Sequence, residues 1–446
     1  MAENAIEWKK GICGVCPAAC WVEIGLKNGK IVDIREDDSH PLGMICHRGK
    51  HAPEIVYSSH RLKYPMKRKG PKGTYGFERI SWDEAYDIIV SNLNKIKQES
   101  GPEAVSIYTG RGAFELSLCD MYQPADAAVS SASNILFPFG SPNTMGVGAL
   151  CYVSFAMIAP HVTMGRMLIN MYTDIENAST LIIWGTNPAT DSPPLDMHRL
   201  ELAVKRGAEV IGIDPKKSEA IKRTGAEWIP IRPGTDGALA LGMIHQIIEE
   251  EIYDRDFADN WCYGFDELKQ YVQHFRPEMV EEITGIPADK IIRLARKIAD
   301  SNAACPVMYT GLEYSNSGIQ AIRAVTTLFA LAGHLDVPGG IGLGMPDSQF
   351  TVNKSCNQQN PALEKAVARD KFPLYSKYRG ESHASGLIDA VLKKDPYPIR
   401  GLIIHGGSIC TSWPQTEVWE KALSGLDFQV CIDRQLTADA KYADIV

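Results

Sequence analysis

Cys13, Cys16 and Cys20 fall within the stretch GICGVCPAAC, spaced C-x2-C-x3-C, and Cys46 follows in MICHRGK. Thiolates are soft anionic donors, so four of them near the start of a chain point to a metal centre. Zinc sites usually offer two separate CxxC pairs, each supplying one edge of a tetrahedron. A tight triplet closed by a remote fourth cysteine instead suits the corners of a [4Fe-4S] cube. Gly11, Gly14 and Pro17 let the backbone curl closely around the sulfurs. The spacing favours an iron–sulfur cluster over zinc, and over disulfides, since no secretory signal precedes the cysteines.

Two aspartates stand at matching places in an internal repeat. TLIIWGTNPATDSPP reads as a buried strand running into a loop; the helix MHRLELAVKRG follows, then the strand AEVIGIDPK with Asp214 at its end. GLIIHGGSICTSWPQ, TEVWEKALSG and DFQVCIDRQ repeat that order and end at Asp433. A second echo links VSIYTGRGAFE to PVMYTGLEYSN. These lengths are not a solenoid period, and imply two related doubly wound α/β domains. Ligands in open parallel sheets sit beyond the carboxyl ends of the strands, where loop N–H groups and helix N-termini meet phosphates. An Asp closing the second strand can accept hydrogen bonds from ribose hydroxyls. Neither copy contains GxGxxG, so a nucleotide other than NAD is the natural reading; the alternative is that the repeat is architecture alone.

The elements that position these residues are readable from periodicity. WVEIGLKNGKIVDIRED alternates apolar and polar residues around Asn28-Gly29, a hairpin signal, within a small strand-rich unit. The basic link RLKYPMKRKGPKG follows. SWDEAYDIIVSNLNKIKQES then opens with a Ser N-cap and Glu84 three residues on, a capping box leading into a helix. Strand and helix alternate from there onward.

Composition bounds the class. A chain of 446 residues, 45% hydrophobic and 22% charged, can bury a sizeable core in about two to four units. A net charge of -8, with no basic arm, disfavours nucleic acid. No apolar run is long enough to span a bilayer. MAENAIEWKK lacks both an apolar signal region and a twin arginine, so the expected location is cytoplasmic. Eleven cysteines suit a reducing compartment, and Cys119, Cys262, Cys305, Cys356, Cys410 and Cys431 read as buried thiols.

The stretches GICGVCPAAC, MICHRGK, RLKYPMKR, ISWDEAYDII, FGSPNTMG, WGTNPA, IDPKKSEAIKRTGAEWIPIRPGTDGALALGMIHQII, LAGHLDVPGG and DRQLTADAKYADIV run in order through nearly the whole chain. In them the sequence resembles the dimethyl sulfoxide reductase superfamily, molybdenum and tungsten enzymes that bind two molybdopterin guanine dinucleotides. The resemblance implies an N-terminal [4Fe-4S] domain at 1–61 and two pseudo-symmetric α/β domains, one formed by 62–139 with 336–446 and the other by 140–335. It implies that Cys13, Cys16, Cys20 and Cys46 hold the cluster, with Arg48 between cluster and pterin. Gly185, Asn187, Asp214, Gly234, Thr235 and Asp236 would serve one dinucleotide, and Gly406, Gly407, Ser408 and Asp433 the other. In the second set the Asn-Pro of WGTNPA is missing.

Members supply the metal's protein ligand from the loop after SPN, where this chain has Cys151; the alternative is a buried thiol ahead of the apolar VSFAMIA. The formate branch follows that ligand with His, and here Tyr152 stands instead. The loop is nearest the thiosulfate and polysulfide reductase branch. The acetylene hydratase branch shares much of it, but places an acid where this chain has Pro17. His161, Glu313 and Tyr314 are candidates for proton transfer. The implied activity is a molybdenum or tungsten oxidoreductase acting on a small substrate; a hydratase is the alternative, and an electron carrier would need only the first unit. An iron–sulfur electron-transfer subunit is an expected partner. Members continue beyond KYADIV into a C-terminal β-barrel-like domain, so that domain is expected from a second chain, or from the rest of a split or fragmentary one.

Overall fold

The computed structural model describes residues 5–16, 20–40, 43–110, 133–151, 153–165, 171–190, 195–343 and 362–446. Pro17, Cys119, Tyr152 and Cys356 lie outside the described residues. The N-terminal unit is an antiparallel sheet of three strands, Glu7–Ile12, Trp21–Lys27 and Lys30–Glu36. Asn28 and Gly29 take φ 51° and 73°, so the hairpin turns where the sequence placed it. Cys20, Val22 and Ile34 form its small core. The basic link then clasps the end of the chain: Leu62 N–H donates to Arg434 O at 2.7 Å, and Arg68 Nε donates to Ala443 O at 2.7 Å. Arg68 is spent on backbone carbonyls, and Lys67, Lys69 and Lys72 pair with carboxylates.

The rest is built on two four-stranded parallel sheets. The first runs Phe428–Ile432, Gly401–His405, Val105–Thr109, Thr144–Gly146. The second runs Glu227–Ile229, Glu209–Ile213, Thr180–Trp184, Ala304–Met308. VSIYT and TLIIW are buried along their whole length, as strands covered on both faces must be. The helix Trp82–Ser100 covers the first sheet, with Ser81 accepting from Glu84 N–H at 3.1 Å as its cap. Asp236–Glu249 and Gly318–Leu331 cover the second, burying Leu239, Met243, Ile244, Val325 and Phe329.

The two echoes are structural equivalents. Gly401–His405 and Thr180–Trp184 are each central, flanked on one side by the strand leading to Asp433 or Asp214 and on the other by a YTG strand. Two short strands extend past the expected breaks at 139 and 335. Thr144–Gly146 joins the first sheet, and Ile341–Leu343 pairs antiparallel with Met171–Thr173, burying Ile341 in the second core. Among the described residues no helix is long and apolar enough to cross a membrane.

Candidate functional site

The cysteine cluster is set by the mouth of the first hairpin. Cys13 follows its strand directly, Cys20 precedes the next, and Cys13 N–H donates to Cys20 O at 2.9 Å. Cys46 takes extended backbone ahead of the short helix His47–Lys50, which carries Arg48 exposed. A Cβ on Gly49 would lie 2.2 Å from Ile45 Cδ1 and 3.2 Å from Cys13 Sγ, so this helix packs closely against the hairpin and its sulfur. Burial raises the Cys13 thiol, and burial together with Cys16, Cys13 and Cys46 pushes Cys20 up to about 11. The four thiols are thus within one another's field. Four soft thiolate donors from this hairpin and the helix beside it fit a cluster in which each sulfur serves a different iron.

The carboxyl ends of the two sheets are built alike. Gly185 N–H donates to Ile213 O at 3.0 Å and Gly406 N–H to Ile432 O at 2.9 Å; their φ angles are 60° and 64°. Beside them Gly311 N–H donates to Gly185 O at 2.8 Å, and Gly110 N–H to His405 O at 2.9 Å. A Cβ on Gly311 would meet Gly185 O at 2.4 Å, and one on Gly110 would meet Gly406 O at 2.2 Å. Each sheet therefore ends in a bare-backbone cradle whose strand ends pack too closely for a side chain between them, the kind of glycine-lined end a dinucleotide can approach.

The polar residues expected around these cradles are partly engaged already. Asn187 Oδ1 accepts from Ala220 N–H at 2.9 Å and its Nδ2 donates to Thr190 Oγ1 at 2.7 Å, tying the loop to the helix Glu219–Thr224. Asp236 is 6% exposed and accepts the Trp184 indole N–H at 2.9 Å, so one of its oxygens serves the core. Burial raises its pKa, as it does for Asp214, which accepts from Lys216 N–H at 2.8 Å. Gly234 (φ 78°) and Thr235, whose hydroxyl donates to Arg232 O at 2.6 Å, make the turn into the helix Asp236–Glu249. Gly407 packs on Gly110, Ser408 precedes the helix Ile409–Ser412, and Asp433 accepts from Arg434 N–H at 2.6 Å.

Cys151 sits between the two sheets' loops. It ends a 3-10 turn, Val147–Leu150, and precedes a π-helix, Val153–Ile158, a backbone form often found at functional sites. The helix Thr310–Glu313 holds it on one side: the Tyr314 hydroxyl donates to Leu150 O, and Glu313 Oε1 accepts from Phe155 N–H at 3.2 Å. Glu313 is 7% exposed, and its Oε2 has no hydrogen-bond partner among the described residues. Burial pushes its carboxyl up to about 7 against the pull of the Phe155 and Ser154 N–H groups. On the other side lie Tyr375, Arg379 and Glu381, which sequence reasoning missed. It also missed Tyr108, raised by burial first and then by the charges of Asp439, Glu381 and Cys151; the YTG echo was its only signal. His161 Nδ1 bonds to Met157 O at 2.8 Å and its ring stacks on Tyr378, an ordinary helical arrangement. Cys305, Cys410 and Cys431 are buried thiols as expected, whereas Cys262 is half-buried.

Comparison with known proteins gives the family. Residues 6–58 match the molybdopterin oxidoreductase Fe4S4 domain, and residues 61–446 match molybdopterin oxidoreductase. The molybdopterin-containing subunit PhsA of thiosulfate reductase from Salmonella typhimurium is 30% identical over 97% of this chain and 56% of its own length. Acetylene hydratase from Syntrophotalea acetylenica is 29% identical over 98% of this chain and 61% of its own. The solved structure of acetylene hydratase from Pelobacter acetylenicus matches with a TM-score of 0.86 at 28% identity, covering 98% of this chain and 62% of that one. The chain thus spans less than two thirds of the length of these relatives. The matched domains are those of a [4Fe-4S] cluster and of a molybdopterin cofactor with molybdenum or tungsten. With four thiols at one hairpin mouth and two matching glycine cradles flanking Cys151, the chain belongs to the molybdopterin oxidoreductase family.

Proposed function

We propose that this chain is the cluster- and pterin-binding part of a catalytic subunit that oxidises or reduces a small substrate, of the thiosulfate and polysulfide reductase kind. The observation that carries it is the seat of Cys151, held between the two sheets' loops and tied to both. When bound, the metal supplies two-electron chemistry, and the cluster passes electrons one at a time. Cys13, Cys16, Cys20 and Cys46 hold the cluster; Arg48, on the helix that Cys46 opens, lends a cation between the two centres. The cradles at Gly185 and at Gly406–Gly407 admit the two dinucleotides. Asp214 and Asp433 accept from sugar hydroxyls, and the Gly234–Asp236 turn and Ser408 supply further polar contacts. The other oxygen of Asp236 would accept from a guanine edge.

Cys151 gives the metal a thiolate. Glu313 is a better proton-transfer candidate than Tyr314 or His161, because it holds a proton near neutral pH and keeps one oxygen without a partner among the described residues. His161 is weaker, its Nδ1 being bound to a backbone carbonyl. An iron–sulfur protein would deliver the electrons. A non-redox hydratase is the second reading, favoured by the structural match at a TM-score of 0.86. A viologen-coupled panel of sulfur, selenium, arsenic and nitrogen oxyanions, beside acetylene hydration with a reduced cluster, separates the two. Dye oxidation with an oxyanion supports the first; hydration without dye turnover supports the second.

A further inference from the structure

Gly146 and Gly148 shape the turn into Cys151, and each lacks a side chain where a polar group packs against the backbone. A Cβ on Gly146 would come within 3.2 Å of Glu381 Oε2. One on Gly148 would come within 3.4 Å of the Tyr375 hydroxyl and 3.6 Å of Arg379 Nε. Arg379 and Glu381 are 1% and 0% exposed, with Nε and Oε2 3.3 Å apart. The Tyr375 hydroxyl donates to the same Oε2 at 3.3 Å.

The local chain explains the pairing. Arg379 closes the helix Pro373–Arg379, and Gly380 turns through the left-handed region at φ 70°. Ser382 N–H then donates to Thr144 O at 2.8 Å, which lays Glu381 along the strand leading to Cys151. Asn143, fully buried, fixes the start of that strand by accepting from Val367 N–H at 3.0 Å and donating to Glu103 O at 2.7 Å.

Burying an ion pair is a poor route to stability, because apolar side chains of similar volume serve as well or better. What the pair adds is a fixed contact of opposite charges, to which the Tyr375 hydroxyl adds direction by donating to Glu381 Oε2. Resting on the reading of Cys151 as the metal's thiolate, we propose that Arg379 and Glu381 are positioning residues. They hold the Gly146–Cys151 turn in the shape that presents the thiol to the cleft.

Two variants of the full chain test this. Glu381→Gln removes the charge and keeps the shape. Arg379→Met combined with Glu381→Leu replaces the pair by apolar groups, so no unpaired buried charge can simply unfold the chain. Hydrogen exchange at residues 144–151 is the readout, with 180–213 as internal reference. The expected result in both variants is about tenfold faster exchange at 144–151 with the reference unchanged. In cofactor-loaded protein the metal's paramagnetic line shape should change while the cluster's stays. Full protection of 144–151 in the double variant would reduce the pair to packing and overturn the proposal. Equal loss of protection in both regions would overturn it too, by assigning the effect to global stability. The Cys151 reading fails separately: an unaltered metal signal in Cys151→Ser would remove it, whatever the exchange shows.

Discussion

Glu313 ionises at about 7, against 4.5 for a glutamate in solution, because burial outweighs the two N–H groups that its carboxylate accepts. Between those values the native chain binds a proton that the unfolded chain has lost. Stability therefore falls as pH rises through this window, and the loss is complete above the native value. Glu313→Gln keeps an acceptor for Phe155 N–H and removes the charge. The variant should match the parent at the acid end of the window and exceed it by roughly 3 kcal/mol above neutrality. Urea midpoints for both proteins across that range check it; a constant difference would show that Glu313 does not titrate in the fold. Cys20, 4% exposed at the root of the second strand, makes a different prediction. Cys20→Ala should lose most of the iron, the brown absorbance and the reduced cluster's EPR signal, and iron retained in full would exclude it as a ligand. Legibility at this scale followed residue type. The cysteines announced themselves by spacing, whereas the engagement of Asp236 by Trp184 joins residues far apart in sequence and left no local trace. Arg379 and Glu381 were invisible for a related reason: what they pack against, Gly146 and Gly148, is defined by having no side chain.

At the scale of elements, the two glycine contacts make a paired prediction. Gly311→Ala and Gly110→Ala each drive a methyl into a neighbouring carbonyl, at 2.4 and 2.2 Å. Each should cost about 1–3 kcal/mol by forcing strand ends apart. Because the contacts are equivalent, urea denaturation should show losses of similar size. A loss in one variant only would mean that the two cradles are not built alike. The repeat was legible because both central strands read LII-x-G and both neighbours read YTG, a pattern long enough to survive divergence. Thr144–Gly146 was not, since a strand of three residues carries no periodicity and is fixed by its partners, Ile107–Thr109 and Ser382. The π-helix after Cys151 was likewise hidden: VSFAMI has the apolar content of an ordinary helix.

At the scale of the whole molecule, the matching sheets imply matching occupancy. Acid hydrolysis of cofactor-loaded protein should release equal GMP from each half, two per chain in all, as the resemblance implies; one GMP per chain would leave one cradle without a ligand. The central claim is that both sheets converge on a single metal through Cys151, whose neighbours Leu150 and Phe155 are bonded from the second sheet's side and whose turn rests on Glu381 and Arg379 from the first. X-ray absorption at the molybdenum or tungsten edge, on the loaded parent and on Cys151→Ser, tests it most directly. The convergence of the sheets on Cys151 predicts one sulfur fewer and one lighter scatterer more around the metal in the variant, with the iron edge unchanged. An identical sulfur shell in both proteins would contradict it.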